Sequence, residues 1–290
     1  MTGQTGIFFQ QSVPLNDADC VVLGLPWDGT VSGRSGARFG PRAIREASLN
    51  VEDYSPYLDR DISEIAFFDC GDMELPFGDT KTTLNIIKTK YTELIGAEKK
   101  IIALGGEHLV TLPMFEALYE KYGERLFVLQ FDAHADLRED YLGVAYSHAT
   151  VMNHIVRTIG IENTAVVGVR SGTRKEWEML RSHPYFFSGI SSIKNDDFND
   201  FIHEKLMNRV LYITIDLDVF DPSTLPGTGT PEPGGIFFKD FIGLMKQMIN
   251  LNIVGADIVE LAPDYDHSGI SNALAATVLR ELLLITGIET

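Results

Sequence analysis

Eight short runs of β-branched, aromatic and aliphatic residues recur along this chain, and a stretch of helical periodicity follows each one. The runs lie near residues 19–25, 65–70, 101–104, 126–129, 165–169, 185–187, 211–215 and 253–260. Most are apolar at successive rather than alternate positions, which suits strands covered on both faces. Strand and helix in alternation predict a parallel sheet with helices packed on either side. The fold class expected is α/β, a three-layer αβα sandwich with a mostly parallel sheet of about eight strands. At 290 residues and 44% hydrophobic composition the chain can bury such a core. No linker or shift in composition divides it, so residues 1–290 are expected to form a single domain.

The periodic stretches have recognisable starts and faces. Pro41 suits the first turn of a helix running to about Ser48. Thr80 opens a helix with Leu84, Ile87, Tyr91, Leu94 and Ile95 on one face. Near Asp196, the residues Phe198, Phe201, Ile202 and Leu206 form a core stripe, and the last helix, about 270–285, is apolar on most sides. Two segments resist regular structure. The loop holding Gly29, Gly33, Gly36 and Gly40 has neither a following Lys-Ser/Thr nor a Gly-x-Gly-x-x-Gly pattern, which argues against a nucleotide site. The Pro- and Gly-rich segment 222–235 is expected to line the site.

Chemistry gathers at the ends of three strands. One ends in Phe131-Asp132-Ala133-His134-Ala135-Asp136, another in Ile215-Asp216-Leu217-Asp218, and a third in Gly105-Gly106-Glu107-His108. Side chains alternate along an extended chain, so Asp132, His134 and Asp136 are predicted to share one face, as are Asp216 and Asp218. A single Asp or His at a strand end is ordinarily a loop-facing polar residue; three such motifs together point to a shared site. Four carboxylates brought together repel one another and lose solvation, and two divalent cations would balance their charge. A shell rich in carboxylate, with imidazole and no thiolate, suits manganese better than zinc or copper.

Composition narrows the partners. Twenty-four basic against 41 acidic residues leave a net charge of −17. That balance disfavours nucleic acid and favours metal ions or small cationic substrates, although it also serves solubility alone. No run of about 18 uncharged apolar residues is present, so no membrane span is expected, and residues 1–6 lack the basic region of a secretory signal. Cys20 and Cys70 sit in separate apolar runs without a short-spaced partner, the pattern of buried free thiols in a cytoplasmic protein.

Around the three motifs stand Gly24-Leu25-Pro26-Trp27-Asp28, Gly36-Ala37-Arg38-Phe39-Gly40-Pro41-Arg42, Thr228-Gly229-Thr230-Pro231-Glu232-Pro233-Gly234-Gly235 and Asp257-Ile258-Val259-Glu260. On these residues the chain resembles, over nearly its whole length, the ureohydrolase family of arginases and agmatinases, and is most similar to the bacterial agmatinases. The resemblance implies an arginase-like fold and two Mn2+ ions. One is expected on His108, Asp132, Asp136 and Asp216, the other on Asp132, His134, Asp216 and Asp218, with Asp132 and Asp216 bridging. Glu107 departs from the family, which usually has Asp before the first histidine. That position is not a family ligand, so the departure bears on the surroundings of the site.

The resemblance also implies a reaction: a hydroxide bridging the metals attacks the guanidinium of agmatine and yields putrescine and urea. Two ions about 3.5–4 Å apart lower the pKa of a shared water from about 15.7 toward 7. Glu260 would pair with the guanidinium, Asp136 would protonate the departing amine, and His148, at the place of a mobile family histidine, would bind substrate and shuttle protons. Arg38 and Arg42 would be structural. Val169-Arg170-Ser171 and Tyr265-Asp266-His267 resemble agmatinases, whereas Arg138 could contact the carboxylate of guanidinobutyrate or a related acid. Guanidinobutyrase, arginase and formiminoglutamase activities, or a non-catalytic member, are the alternatives. A magnesium phosphohydrolase using Asp216 would leave Asp132, His134 and Asp136 unexplained. The family further implies a homo-oligomer, trimer or hexamer, working in polyamine biosynthesis.

Overall fold

The computed structural model describes residues 12–188 and 195–287. Its main sheet has eight strands: β1 (Cys20–Leu25), β2 (Phe67–Asp72), β3 (Lys100–Gly105), β4 (Leu126–Phe131), β5 (Thr164–Val167), β6 (Phe186–Phe187), β7 (Val210–Asp216) and β8 (Asn252–Val259). They pair in the order β2-β1-β3-β8-β7-β4-β5-β6, every pairing parallel. Parallel neighbours cannot be joined by a tight turn, so the connections cross over a face of the sheet. The helices that fill them, before and after, are α1 (Gly40–Ser48), α2 (Thr80–Gly96), α3 (Thr111–Tyr122), α4 (Val151–Ile159), α5 (Arg174–Ser182), α6 (Asn195–Phe201), α7 (Phe238–Gln247) and α8 (Ile270–Thr286). A separate antiparallel hairpin joins Tyr54–Ser55 to Arg60–Asp61.

Alternation along β1 divides the core in two. Cys20 and Val22 join a cluster with α1, α6, α7 and α8, while Val21, Leu23 and Leu25 join another with α2, α3, α4 and α5. Helices therefore cover both faces, as expected of a parallel sheet. The predicted stripe of Phe198, Phe201, Ile202 and Leu206 is buried, its second half in a wider π-helical turn, Ile202–Leu206. One expectation needs correction. Cys20 is buried, but Cys70 is only half-buried, because β2 is an edge strand on which alternate residues are partly open. The predicted face of α2 packs on the second cluster, with Ile87, Tyr91, Leu94 and Ile95 buried and Leu84 half-buried against it.

Packing also sets the floor of the site. Phe131, the last residue of β4, meets Phe241 of α7 edge-on with ring centroids 5.5 Å apart, and Phe220 meets the same ring at 5.4 Å. Each such pair adds about 0.5–1.5 kcal/mol beyond its buried area. The three rings hold the segments leaving β4 and β7, so the residues beside them, Asp132 and Asp218, start from anchored backbone. The central strands β3, β8, β7 and β4 are consecutive in the sheet, and His108, Glu260, Asp216 and Asp132 all lie at or just past their carboxyl ends. Ligands of open parallel sheets bind at that end. Among the described residues no helix is long and apolar enough to cross a membrane.

Candidate active site

The six sequence-predicted ligands converge, but not by the predicted alternation. β4 stops at Phe131, and Asp132, His134 and Asp136 follow in irregular backbone, with Asp136 left-handed at φ 51°. Asp218 lies in a short 3-10 turn, Leu217–Val219. The carboxylates themselves bend these segments into place by accepting backbone hydrogen bonds. His134 N–H donates to Asp132 Oδ1 (2.5 Å), Ala133 N–H to Asp218 Oδ1 (3.1 Å) and Asp218 N–H to Asp216 Oδ1 (2.9 Å). The second oxygens of Asp218 and Asp216 are left to face the histidines.

Two groups of ligand atoms result. His108 Nδ1 lies 3.1 Å from Asp132 Oδ2, 3.1 Å from Asp136 Oδ2 and 3.4 Å from Asp216 Oδ2. His134 Nδ1 lies 2.9 Å from Asp218 Oδ2 and 3.7 Å from Asp132 Oδ1. The sets His108, Asp132, Asp136 and Asp132, His134, Asp218 each bring three ligand atoms within 4.8 Å of one another. Asp132 belongs to both, one oxygen to each, and Asp216 stands beside the first.

The chemistry of these donors fits a divalent cation. His108 Nδ1 is buried without a hydrogen-bond partner although three carboxylate oxygens surround it, so these atoms face a common point rather than one another. Behind the ring, Thr214 Oγ1 is 2.9 Å from Nε2 and donates to Asp257 Oδ1 at 2.7 Å. Its single proton thus committed, the hydroxyl can only accept from Nε2–H, which turns the Nδ1 lone pair to the centre. Burial favours neutral His108, but Asp132, Asp136 and Asp216 outweigh it and hold its pKa well above the ordinary value. Burial and the Asp132 charge push Asp136 up to about 6, and burial with Asp218 and Asp132 raises Asp216 well above a normal carboxylate. A cluster that strains its acids this way calls for positive charge, from protons or from metal ions.

A cavity of about 260 Å³ opens above the cluster, lined by His108, His134, Asp136, His148, Asp216 and Glu260 among others. Glu260 is left-handed at φ 65°, and its N–H donates to Gly106 O (2.8 Å) while its Oε1 accepts from His108 N–H (2.8 Å). Burial, reinforced by Glu107, pushes its pKa up to about 8. His148 N–H donates to Thr30 Oγ1 and its Nδ1 lies 3.1 Å from Thr30 O. Burial lowers its pKa, keeping the ring neutral. Gly229 and Thr230 also line the cavity, as expected of segment 222–235. Arg38 pairs with Asp28 and exposed Arg42 with Glu46, both away from the cavity.

Several residues support these groups in roles the sequence did not reveal. Arg170 spreads its guanidinium over the carbonyls of Asp218 (2.7 Å), Val219 (3.2 Å) and Glu232 (2.8 Å), tying the Asp218 turn to segment 222–235. Gly168, at φ 97°, permits the close approach beneath it: a Cβ there would lie 2.6 Å from Val219 Cγ2 and 3.1 Å from Asp132 O. Gln130 donates to Asp132 Oδ2 at 2.7 Å, and fully buried Asp257 receives Tyr212, Thr214 and Thr111 hydroxyls. Polar residues inside apolar strands were the available signal for Gln130, Thr214 and Asp257. Arg170 was marked only by the Val169-Arg170-Ser171 resemblance, which carried no role for it.

Comparison with known proteins agrees with this geometry. The model of the arginase family matches residues 18–285. An agmatinase of Bacillus cereus is 42% identical over 283 residues, 96% of this chain and 95% of its own. Among solved structures, proclavaminate amidino hydrolase from Streptomyces clavuligerus superposes with a TM-score of 0.87 at 30% identity, covering 97% of this chain and 96% of that one. The agmatine ureohydrolase of Thermoplasma volcanium gives 0.86 at 29% identity, covering 99% and 95%.

Proposed function

Because the chain belongs to the arginase family, we propose that it is a binuclear manganese hydrolase cleaving agmatine to putrescine and urea. The observation that carries this reading is the doubled cluster, in which Asp132 offers one oxygen to the His108 group and the other to the His134 group. His108, Asp132, Asp136 and Asp216 would hold one ion and Asp132, His134, Asp216 and Asp218 the other. Two ions bound there would supply Lewis acidity and lower the pKa of a water between them.

The remaining chemistry falls to the side chains. Four carboxylates balance two divalent ions, so Glu260 is left as a net negative group at the cavity wall. It would pair with the planar guanidinium through charge-assisted hydrogen bonds and orient the carbon under attack. Agmatine restores positive charge beside the carboxylate, which removes the penalty of its buried ionisation. Asp136 would carry the proton to the departing amine, and neutral His148 would relay protons between cavity and solvent. A cytoplasmic homo-oligomer, trimer or hexamer, working in putrescine synthesis belongs to the same proposal. A second reading, hydrolysis of a guanidino acid, is favoured by Arg138, which lines the cavity beside Tyr141.

Urea release by manganese-loaded protein, with agmatine, arginine and 4-guanidinobutyrate side by side, tests the proposal. Preference for agmatine that disappears with a chelator supports it. Preference for 4-guanidinobutyrate selects the second reading, and no urea from any of the three, with two ions bound, overturns both.

A further inference from the structure

Glu107 is fully buried yet takes no place among the ligand atoms. Its surroundings show where its carboxylate acts. Glu107 N–H donates to Trp27 O and Gly106 N–H to Leu25 O, both at 2.8 Å, and a Cβ on Gly106 would run into the Trp27 backbone. The strand end therefore lies against the start of the glycine-rich loop. Glu107 Oε2 accepts from Thr30 N–H at 2.7 Å, and Oε1 accepts from the Thr30 hydroxyl. Thr30 in turn receives His148: its hydroxyl accepts from His148 N–H and its carbonyl faces His148 Nδ1, each at 3.1 Å.

The donor inventory orders this chain of contacts. Both Glu107 oxygens accept from Thr30, so the single Thr30 hydroxyl proton is committed to the carboxylate and the hydroxyl lone pairs are left to His148; burial pushes the Glu107 pKa up to about 7, and the two Thr30 bonds hold it down. A carbonyl oxygen also accepts only, so the ring nitrogen 3.1 Å from it carries the proton, and the Ser147 hydroxyl 3.2 Å from the same nitrogen can accept as well. His148 is thereby held as the Nδ1–H tautomer, with Nε2 unprotonated and 3.5 Å from Ser32 Oγ on the cavity wall. The same tether fixes Val31, Ser32 and Gly33, which line the cavity next to Thr30. Three segments far apart in sequence are thus locked by one buried side chain.

We propose that Glu107, acting through Thr30, is a positioning residue that sets the place and the tautomer of His148. The inference rests on the reading of His148 as a proton carrier in the proposed reaction. Its test is a set of variants, Glu107→Gln, Thr30→Val and Thr30→Ser, each made alone and with His148→Asn. Urea release from agmatine is followed, with manganese content recorded for every protein. Glu107→Gln and Thr30→Val are each expected to lower kcat about tenfold to thirtyfold with little change in KM and two manganese ions retained. In the His148→Asn background the same changes should cost less than about twofold, because residues acting through one another are not additive. Thr30→Ser keeps the hydroxyl and should restore most of the rate. Losses that multiply with His148→Asn, an unchanged rate in Glu107→Gln, or manganese lost in step with kcat would overturn the proposal. A second readout needs no turnover: nitrogen NMR of the metal-free, histidine-labelled protein should show His148 as the Nδ1–H tautomer, and a mixture in Thr30→Val. An Nε2–H tautomer in the unaltered protein would overturn the tether. Absence of urea release by the unaltered protein would instead count against the proposed reaction and leave this readout standing.

Discussion

His108 and His134 offer the same ring nitrogen to the same centre from opposite surroundings. The His108 side chain is 1% exposed, backed by Thr214 and the buried Asp257 on strands of the central sheet. The His134 side chain is 25% exposed and its Nε2 stands 3.8 Å from Glu232 Oε1, itself held by a donated bond from Ser171 Oγ. One half of the centre is set by strands packed between two helical layers. The other is set by loops that Arg170 ties together through their carbonyls. One cluster of ligand atoms is thus sealed on one side and open on the other. The sealed half has low-dielectric walls, the open half is the more exposed of the two, and both border the cavity.

The largest effect should come from the residue that joins the halves. Asp132→Asn removes a charge from both groups and is expected to lower activity at least about a thousandfold and leave neither ion tightly bound. Retention of one ion per chain at unaltered affinity would show that the halves are independent. Next in size is the pair His108→Asn and His134→Asn. Loss of the sealed ligand should empty both positions, whereas loss of the open ligand should leave one ion per chain, as metal analysis after dialysis would show. The reverse order would break the comparison.

Smaller effects sharpen it. Arg170→Lys replaces a planar fork by a point charge that cannot span three carbonyls, and should weaken only the open half, about tenfold to a hundredfold in metal affinity. Equal weakening of both ions in a metal titration would contradict the assignment of Arg170 to that half. The last comparison is with a buried histidine that has neutral partners. His183 Nδ1 accepts from Tyr185 N–H and its Nε2 faces Thr164 Oγ1, and burial lowers its pKa to about 4. Its folded value lies below its unfolded value of 6.5, so its stabilisation is present above pH 6.5 and is lost as pH falls toward 4. The loss is about 3 kcal/mol, and His183→Gln should remove that part of the pH dependence of urea unfolding. An unaltered dependence would show that burial alone does not keep this ring neutral.

Much of the molecule could be read before folding was considered. All eight strand runs and the helices after them appear; the six metal-ligand candidates come together, and four of them line one cavity with His148 and Glu260. What failed was the local geometry. Asp132, His134 and Asp136 are spaced like residues of one strand face, but β4 ends before them and their direction comes from hydrogen bonds to Asp132, Asp216 and Asp218. Glu107 was visible only as a departure from the family pattern, and its role depends on Thr30, 77 residues away. Arg170 stood out only within Val169-Arg170-Ser171, and its role could not be found, since its partners are backbone carbonyls that every residue carries.

By itself the sequence determined which segments must be buried and which residues could hold cations, because periodicity, side-chain volume and charge are properties of neighbouring residues. Only the tertiary structure decided that β3, β8, β7 and β4 stand side by side. That order brings His108, Asp132, Asp216 and Glu260 to one place. It arises from which apolar faces fill the two core layers together, and no short stretch of chain contains that information.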